Sequence, residues 1–179
     1  MLIASYKTIR PGLQGLANRA IRLRLRGIYS HSEVVFQPGD GVDHLMPDGS
    51  CDPVDGALWC ASSVAAERLP AHSPRRAGCM GGVRFKRILL NPDHWDVIAY
   101  RRCPITAAQW FRAHEGERYD WQLILGFLAW VIPQQALRWT CSEAAAAAGG
   151  YADPWRFDPC TLHVTNFPTP FPTSLQLEI

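Results

Sequence analysis

The segment LRWTCSEAAAAAGGY, residues 137–151, carries the clearest local structural signal in the sequence. Its five alanines followed by a Gly-Gly pair predict a short helix with a definite end, since alanine favours helix and glycine favours its termination. Thr140 and Glu143 match a capping box, in which the Thr hydroxyl accepts the third helical N–H and the Glu side chain accepts the N–H of the cap. This pattern places Cys141 at the first helical position.

The position of Cys141 has a chemical consequence. Unpaired backbone N–H groups and the positive end of the helix dipole lie at the start of a helix and favour an anion. The Cys141 thiol is therefore expected to lose its proton more readily than a free cysteine, and the thiolate is the nucleophilic form. The local sequence makes Cys141 a candidate nucleophile.

Length and composition bound the class of protein. With 179 residues, 47% of them hydrophobic, the chain is long enough for a substantial core, and we expect one domain over 1–179 with a Pro-rich tail over 165–179. A net charge of +2 argues against nucleic acid as a partner. The alternative, DNA binding by the four arginines between residues 19 and 26, predicts steeply salt-dependent binding.

The six cysteines include no C-x-x-C pair, so neither a metal site nor a cofactor is predicted.

Two segments of the sequence indicate where the protein is located and whether it crosses a membrane. The N-terminal residues MLIASYKTIRPG lack the apolar core of a signal peptide, because Lys7 and Arg10 interrupt it, so we expect a cytoplasmic protein. The run from Leu123 to Pro133 has about half the length needed to cross a bilayer. It predicts a buried helix rather than a transmembrane segment.

The pattern along the chain predicts a mixed fold. Runs of β-branched and aromatic residues between turn signals predict strands at 27–36, 56–63, 81–90 and 94–102. The first two are expected to pair as an antiparallel hairpin. Helical spacing predicts helices over 12–26 and 105–115 in addition to the one that begins at Cys141. The expected class is α+β, an antiparallel sheet of about four or more strands packed against helices. Prolines argue against long regular structure after residue 154.

A cysteine nucleophile requires a base or a positive partner, which is most often histidine. Among six histidines, His31 is the best placed, because it lies inside a predicted strand where backbone pairing holds the side chain. Glu33 follows two residues later and projects from the same face of that strand.

Three motifs occur in a fixed order along the chain: YSHSEVVF at 29–36, GERYDW at 116–121 and WTCSE at 139–143. Together they resemble the circularly permuted branch of the NlpC-type papain-like hydrolases, the YiiX/YaeF-like group, which is related to the lecithin retinol acyltransferase-like enzymes. In that branch the histidine strand precedes the cysteine helix, the reverse of papain. The resemblance extends from about residue 3 to about residue 165 and depends mainly on these motifs.

The resemblance implies a permuted papain-like fold with Cys141 as nucleophile and His31 as general base. Tyr119 corresponds to a tyrosine near the cysteine and Asp120 to its usual neighbour, which makes both candidates for substrate binding. The implied activity is that of a cysteine hydrolase or acyltransferase on an amide or ester bond. A cell-wall peptide and an acylated or lipid substrate both suit it, so lipid contact stays open. A bacterial or phage origin fits such an enzyme.

The third catalytic member is left open among Glu33, Ser62 and a residue that the sequence does not identify. In the family it is a polar residue, often Glu or His, on the strand after the histidine, and that strand here reads ALWCASS at 57–63. A hairpin centred near residues 47 and 48 is expected to set Ser62 or Ser63 opposite His31. Glu33 has the required chemistry but shares a strand with His31. The alternative function is a non-catalytic binding or structural protein on the same fold with a vestigial dyad.

Overall fold

A computed structural model describes residues 1–9, 13–120 and 138–167 of the chain. These residues contain a five-stranded antiparallel sheet with the strand order β4-β3-β2-β1-β5. Its strands are β1 (Leu2–Tyr6), β2 (His31–Phe36), β3 (Leu58–Arg68), β4 (Met80–Ile88) and β5 (Trp95–Ala99). The sheet connects the first strand of the chain to two strands that are distant in sequence.

Four α-helices, a short second sheet and two 3-10 helices, Asp43–Leu45 and Pro154–Arg156, complete the described elements. The helices are α1 (Leu13–Leu25), α2 (Pro104–His114), α3 (Cys141–Ala148) and α4 (Pro159–Asn166). The second sheet is a parallel pair of two-residue strands, β6 (Arg118–Tyr119) and β7 (Arg138–Trp139). The predicted α+β class and the antiparallel sheet packed against helices are confirmed.

The strand β1 was not predicted from the sequence. It has only five residues, and its pairing partners lie far along the chain, because it hydrogen bonds to β2 on one side and to β5 on the other. A short central strand is stabilised by these two neighbours rather than by a long local pattern. The other four strands lie at or near the predicted runs.

The expectation for the C-terminal prolines was wrong over residues 159–166, which form α4. Pro159 stands in the first turn, where a missing backbone N–H costs nothing. The Asp158 carboxylate caps the helix by accepting the N–H groups of Cys160 at 2.8 Å and Thr161 at 2.9 Å. The rest of the predicted tail, residues 168–179, lies outside the described residues.

Apolar side chains pack on both faces of the sheet. The larger core contains Val34 and Phe36 of β2, Phe111 of α2 and the small alanines at 144–146 of α3. The smaller core on the opposite face contains Val35 of β2. Because side chains alternate along a strand, Val34 and Phe36 pack on the face that carries α3, while Val35 between them points to the other face.

None of the helices among the described residues has both the length and the apolar character needed to cross a membrane. The predicted buried helix at 123–133 lies outside the described residues.

Candidate active site

Cys141 is the first residue of α3, as predicted, and the capping box in front of it is confirmed. Thr140 Oγ1 accepts the N–H of Glu143 at 3.4 Å, and Glu143 Oε2 accepts the N–H of Thr140 at 3.2 Å. These two bonds hold the first turn of α3 in a single geometry. The Cys141 side chain is therefore held at the positive end of the helix, where it is nearly buried.

The fold brings His31 and Cys141 together although more than one hundred residues separate them in sequence. His31 begins β2, α3 packs against β2, and the two side chains form a hydrogen bond. The backbone N–H groups of Ser32 and Ser142 also hydrogen bond to the sulfur. The thiol thus faces an imidazole and two N–H donors, all of which favour a negative sulfur.

The electrostatics of the pair favour the charged forms of both groups. Burial alone lowers the pKa of His31 and raises the pKa of Cys141, because it disfavours charge. The opposite charge of each partner and the hydrogen bond between them outweigh burial. The result is that the pKa of His31 rises to about 9, and the pKa of Cys141 falls below its ordinary value. A thiolate–imidazolium pair is favoured between these two pKa values.

Glu33 is the residue that the structure brings to the imidazole. Its Oε1 lies 2.8 Å from His31 Nε2, which leaves Nδ1 as the ring nitrogen for the thiol. Arg84 donates to both carboxylate oxygens of Glu33, at 2.8 Å and 2.7 Å. Burial raises the pKa of Glu33, but the Arg84 charge and the bonds to His31 and Arg84 together lower it to about 2. The carboxylate is ionised at neutral pH and stabilises the imidazolium.

Ser62 is not brought to His31. Val34 pairs with Ala61, so continuing this register sets Ser62 beside Glu33 and leaves Val64 for the place opposite His31. The Ser62 hydroxyl is buried and donates to the carbonyl of Ser32 at 2.7 Å. The expected juxtaposition of Ser62 and His31 was wrong: the two strands pair about a centre between residues 47 and 48, as expected, and that register sets Val64 rather than Ser62 opposite His31.

Tyr119 and Asp120 lie where the chain approaches Cys141. Tyr119 is buried in β6, and its pKa is well above its ordinary value because of burial first and the nearby Cys141 charge second. The Asp120 N–H donates to the carbonyl of Trp139 at 3.2 Å, and its side chain is fully buried. Tyr119 is therefore close enough to Cys141 to respond to its charge, whereas the Asp120 backbone bonds to the strand that leads to the cysteine.

Arg84 is the site residue that the sequence did not reveal. It lies in the segment VRFKR of β4, in which apolar and basic residues alternate imperfectly. In the structure its side chain is only 2% exposed, and it pairs with Glu33 and, at 3.4 Å, with Glu67. The available signal was the alternation of side chains along the strand. Val83 and Phe85 pack in the larger core, so Arg84 between them points to the opposite face, towards Glu33.

The remaining donors at the helix end suit a developing oxyanion. The cap uses the N–H groups of Glu143 and Ala144, and the N–H of Ser142 faces the sulfur, which leaves the N–H of Cys141 for a reacting oxygen. Within 1–9, 13–120 and 138–167, no group of three or more His, Cys, Asp or Glu side chains is arranged to hold a metal ion.

Comparison of the chain with protein-family models, with curated proteins and with solved structures finds no match. The site geometry and the sequence motifs are accordingly the grounds for a proposal of function.

Proposed function

We propose that the protein is a cysteine-dependent hydrolase or acyltransferase of the permuted papain-like type that acts on an amide or ester bond. The hydrogen-bonded series Cys141–His31–Glu33 carries this proposal. It supplies an activated thiol, a base and a carboxylate that orients the base, which are the three roles of a nucleophilic triad. The order of histidine before cysteine along the chain also supports it.

The reaction divides into two acyl transfers. In the first, the Cys141 thiolate attacks the substrate carbonyl carbon, and the N–H of Cys141 donates to the oxyanion that forms. The His31 imidazolium gives its proton to the leaving amine or alcohol as the carbon–heteroatom bond breaks, and an acyl-thioester remains. In the second, neutral His31 takes a proton from water or from an acceptor alcohol or amine, whose oxygen or nitrogen attacks the thioester. The acyl group leaves and the ion pair is restored.

The reacting pair is only slightly open to a substrate. The His31 side chain is 15% exposed and the Cys141 residue 5%. The proposed substrate is a peptide or an acyl-bearing small molecule whose carbonyl reaches the Cys141 sulfur. A cell-wall peptide and an acylated lipid are the two substrate classes within the proposal.

The test is acylation by a chromogenic ester whose alcohol is released when a thioester forms. We expect a burst of alcohol, an acyl group mapped to Cys141, and loss of both in Cys141→Ala. Cys103 is the demanding control, because it is exposed and the hydrogen bonds from Thr106 lower its pKa. Acylation of Cys103 in preference to Cys141 would contradict the proposal. Alkylation of Cys141 without any acyl turnover would favour the non-catalytic alternative.

A further inference from the structure

A series of buried charges extends behind the reactive pair. The Arg84 guanidinium donates to the two carboxylate oxygens of Glu33 at 2.8 Å and 2.7 Å, and Glu33 lies 2.8 Å from His31 on its other side. Arg84 and Glu33 are both almost completely buried. Water therefore does not screen these charges as it screens the charges of a surface ion pair.

Three neighbouring strands place Arg84 where it reaches Glu33. Arg84 of β4 is paired with Ser62 of β3, and the β2–β3 register sets Ser62 beside Glu33. Side chains in one such row across a sheet lie on the same face. Because Ser62 is small, the long Arg84 side chain extends across β3 to the carboxylate. The contact between Arg84 and Glu33 is thus built into the sheet.

A second ion pair leaves the Arg84 charge for Glu33. Glu67 of β3 lies 3.4 Å from Arg84, but it also pairs with Lys86 of β4. Glu67 is half-buried and Lys86 is exposed, so both water and Lys86 offset the Glu67 charge. Cys60 is the other titratable group near the guanidinium. Burial first, and the Glu33 charge second, raise the pKa of Cys60 well above its ordinary value, so it stays a neutral thiol.

The charges of this buried cluster add to zero when Cys141 is a thiolate. The sulfur and Glu33 are then negative, His31 and Arg84 are positive, and each charge lies next to one of the opposite sign. A buried charge that is compensated is tolerated, whereas an uncompensated one is costly. Without Arg84 the cluster carries one excess negative charge, and uptake of a proton by the thiolate removes it.

The other titratable groups near the sulfur lie on β6, beside it and on α3. Tyr119 stays un-ionised, since burial and then the nearby Cys141 charge raise its pKa well above the ordinary value. The carboxyl groups of Asp120 and Glu143 lie close enough to act on Tyr119. These three groups are the same whether or not Arg84 is present, so a comparison of Arg84 variants isolates the guanidinium.

We infer that Arg84 is a positioning residue for the proposed reaction, which holds the Glu33 carboxylate against His31 and supplies the buried positive charge that lets Cys141 be a thiolate at neutral pH. This inference rests on the proposed function, to which it adds a residue that acts only through Glu33. The charge of Arg84 is the property that matters, so the two members of the ion pair have opposite effects. Loss of Arg84 leaves the cluster negative and favours the thiol, whereas loss of Glu33 leaves it positive and does not.

The first experiment follows the ultraviolet absorbance of the thiolate against pH in wild type, Arg84→Met and Arg84→Lys, with the Cys141→Ala form of each protein subtracted. We expect the pKa of Cys141 to rise by about one unit or more in Arg84→Met, because the cation that compensates Glu33 is lost. Arg84→Lys keeps the charge without the paired hydrogen bonds and should retain most of the thiolate. An unchanged pKa in Arg84→Met, or equal rises in both variants, overturns the inference.

A second comparison covers the case in which Arg84→Met does not fold, since that variant leaves Glu33 buried without its cation. Glu33→Gln/Arg84→Met lacks both charges. Its Cys141 pKa should lie above that of Glu33→Gln, because removal of a cation favours the thiol in either background, and below that of Arg84→Met wherever the latter folds. All three variants lack the ion pair, so a role of the contact alone predicts one value for all of them. That result overturns the inference.

Glu67→Gln is the matched control, because Glu67 also lies beside Arg84 but is half-buried and paired with Lys86. The Cys141 pKa should stay close to the wild-type value in this variant, and a rise as large as in Arg84→Met contradicts the inference.

The absorbance measurement needs no acyl turnover, which separates the inference from the proposed function. A thiolate that depends on Arg84, together with no acylation of Cys141 by the chromogenic ester, contradicts the proposed function and supports the charge balance. Normal acylation in Arg84→Met with an unchanged Cys141 pKa supports the proposed function and overturns the inference.

Discussion

Glu33 lies between the Cys141–His31 pair and the buried guanidinium of Arg84, and its carboxylate bonds to both His31 and Arg84. It bonds to His31 on one side and to Arg84 on the other, and it is almost completely buried. Arg84 keeps the carboxylate ionised, and the ionised carboxylate keeps His31 protonated. The tendency of Cys141 to exist as thiolate therefore depends on a residue that does not contact the sulfur.

Replacement of Glu33 with Gln is expected to lower the pKa of His31 by about one unit or more, because the negative charge beside the imidazolium is lost. The pKa of His31 in the wild type is about 9, and the imidazolium needed for leaving-group protonation disappears as pH rises through that value. The alkaline limb of acyl turnover should therefore move to lower pH in Glu33→Gln. NMR titration of His31 and a pH–rate profile measure the two effects.

Ser62→Ala is the control for this prediction. The Ser62 hydroxyl donates to the carbonyl of Ser32 and makes no bond to the imidazole, so the His31 titration should stay in place. A shift caused by Ser62→Ala but not by Glu33→Gln would reinstate Ser62 as the third catalytic member.

At the scale of elements, α3 depends on its first turn. The helix has only eight residues, and its capping box satisfies backbone groups that water or another partner would otherwise have to meet. Thr140→Ala is expected to lower the free energy of unfolding by about 1 kcal/mol, because the cap hydroxyl is lost. Urea denaturation measures the change. Thr140→Ser retains a hydroxyl and should stay close to wild type, and equal losses in both variants would show that the methyl group matters rather than the cap.

The capping box and the β2–β3 hairpin show how much of the local structure could be predicted from the sequence. The capping box was predictable because Thr140 and Glu143 are three residues apart, and such a signal is complete within one turn of helix. The hairpin of β2 and β3 was predictable from two apolar runs, and its expected centre near residues 47 and 48 is the observed one. That centre sets Val64 opposite His31, because each step along one strand is matched by one step back along the other, so Ser62 was wrongly assigned although the register was predictable.

The parts of the site that the sequence did not reveal are those that depend on long-range contacts. Cys141, His31 and Glu33 were named from local position and motif order, and the structure places them together. The role of Arg84 depends on a partner 51 residues away. A basic residue in isolation predicts a solvated side chain, and only the tertiary contacts reveal a buried or convergent one.

At the scale of the whole molecule, a polar network fastens α4 to the sheet. His163 bonds through Nδ1 to the Ser5 hydroxyl at 2.9 Å and through Nε2 to the Tyr29 hydroxyl at 3.2 Å, and Tyr29 donates to Asp96 at 2.8 Å. Because Tyr29 donates to Asp96, its oxygen accepts from Nε2, and Nδ1 accepts from Ser5. The network is complete when His163 is neutral.

The network predicts a dependence of stability on pH. Burial lowers the pKa of His163 below its ordinary value of 6.5, although Asp96 opposes this. As pH falls below 6.5 the unfolded chain takes up the proton more readily than the folded chain, so the contribution of His163 is present above 6.5 and is lost on acidification. The difference in free energy of unfolding between wild type and His163→Gln should therefore shrink from pH 7.5 to pH 5.

Urea denaturation at several pH values measures this difference, with His44→Gln as the control because His44 is exposed. A gap between wild type and His163→Gln that stays constant or widens on acidification would contradict the expected neutral form.

The distribution of the site along the chain has a consequence for biosynthesis. All five strands of the main sheet precede residue 100, whereas the reactive cysteine stands at 141. A chain made on the ribosome begins to fold from its N-terminal end, so the imidazole and its carboxylate leave the ribosome before the thiol. Until its helix docks, that thiol lacks the imidazolium that lowers its pKa and stays in the protonated, weakly nucleophilic form. The order of translation thus postpones formation of the thiolate–imidazolium pair until the cysteine helix has joined the sheet.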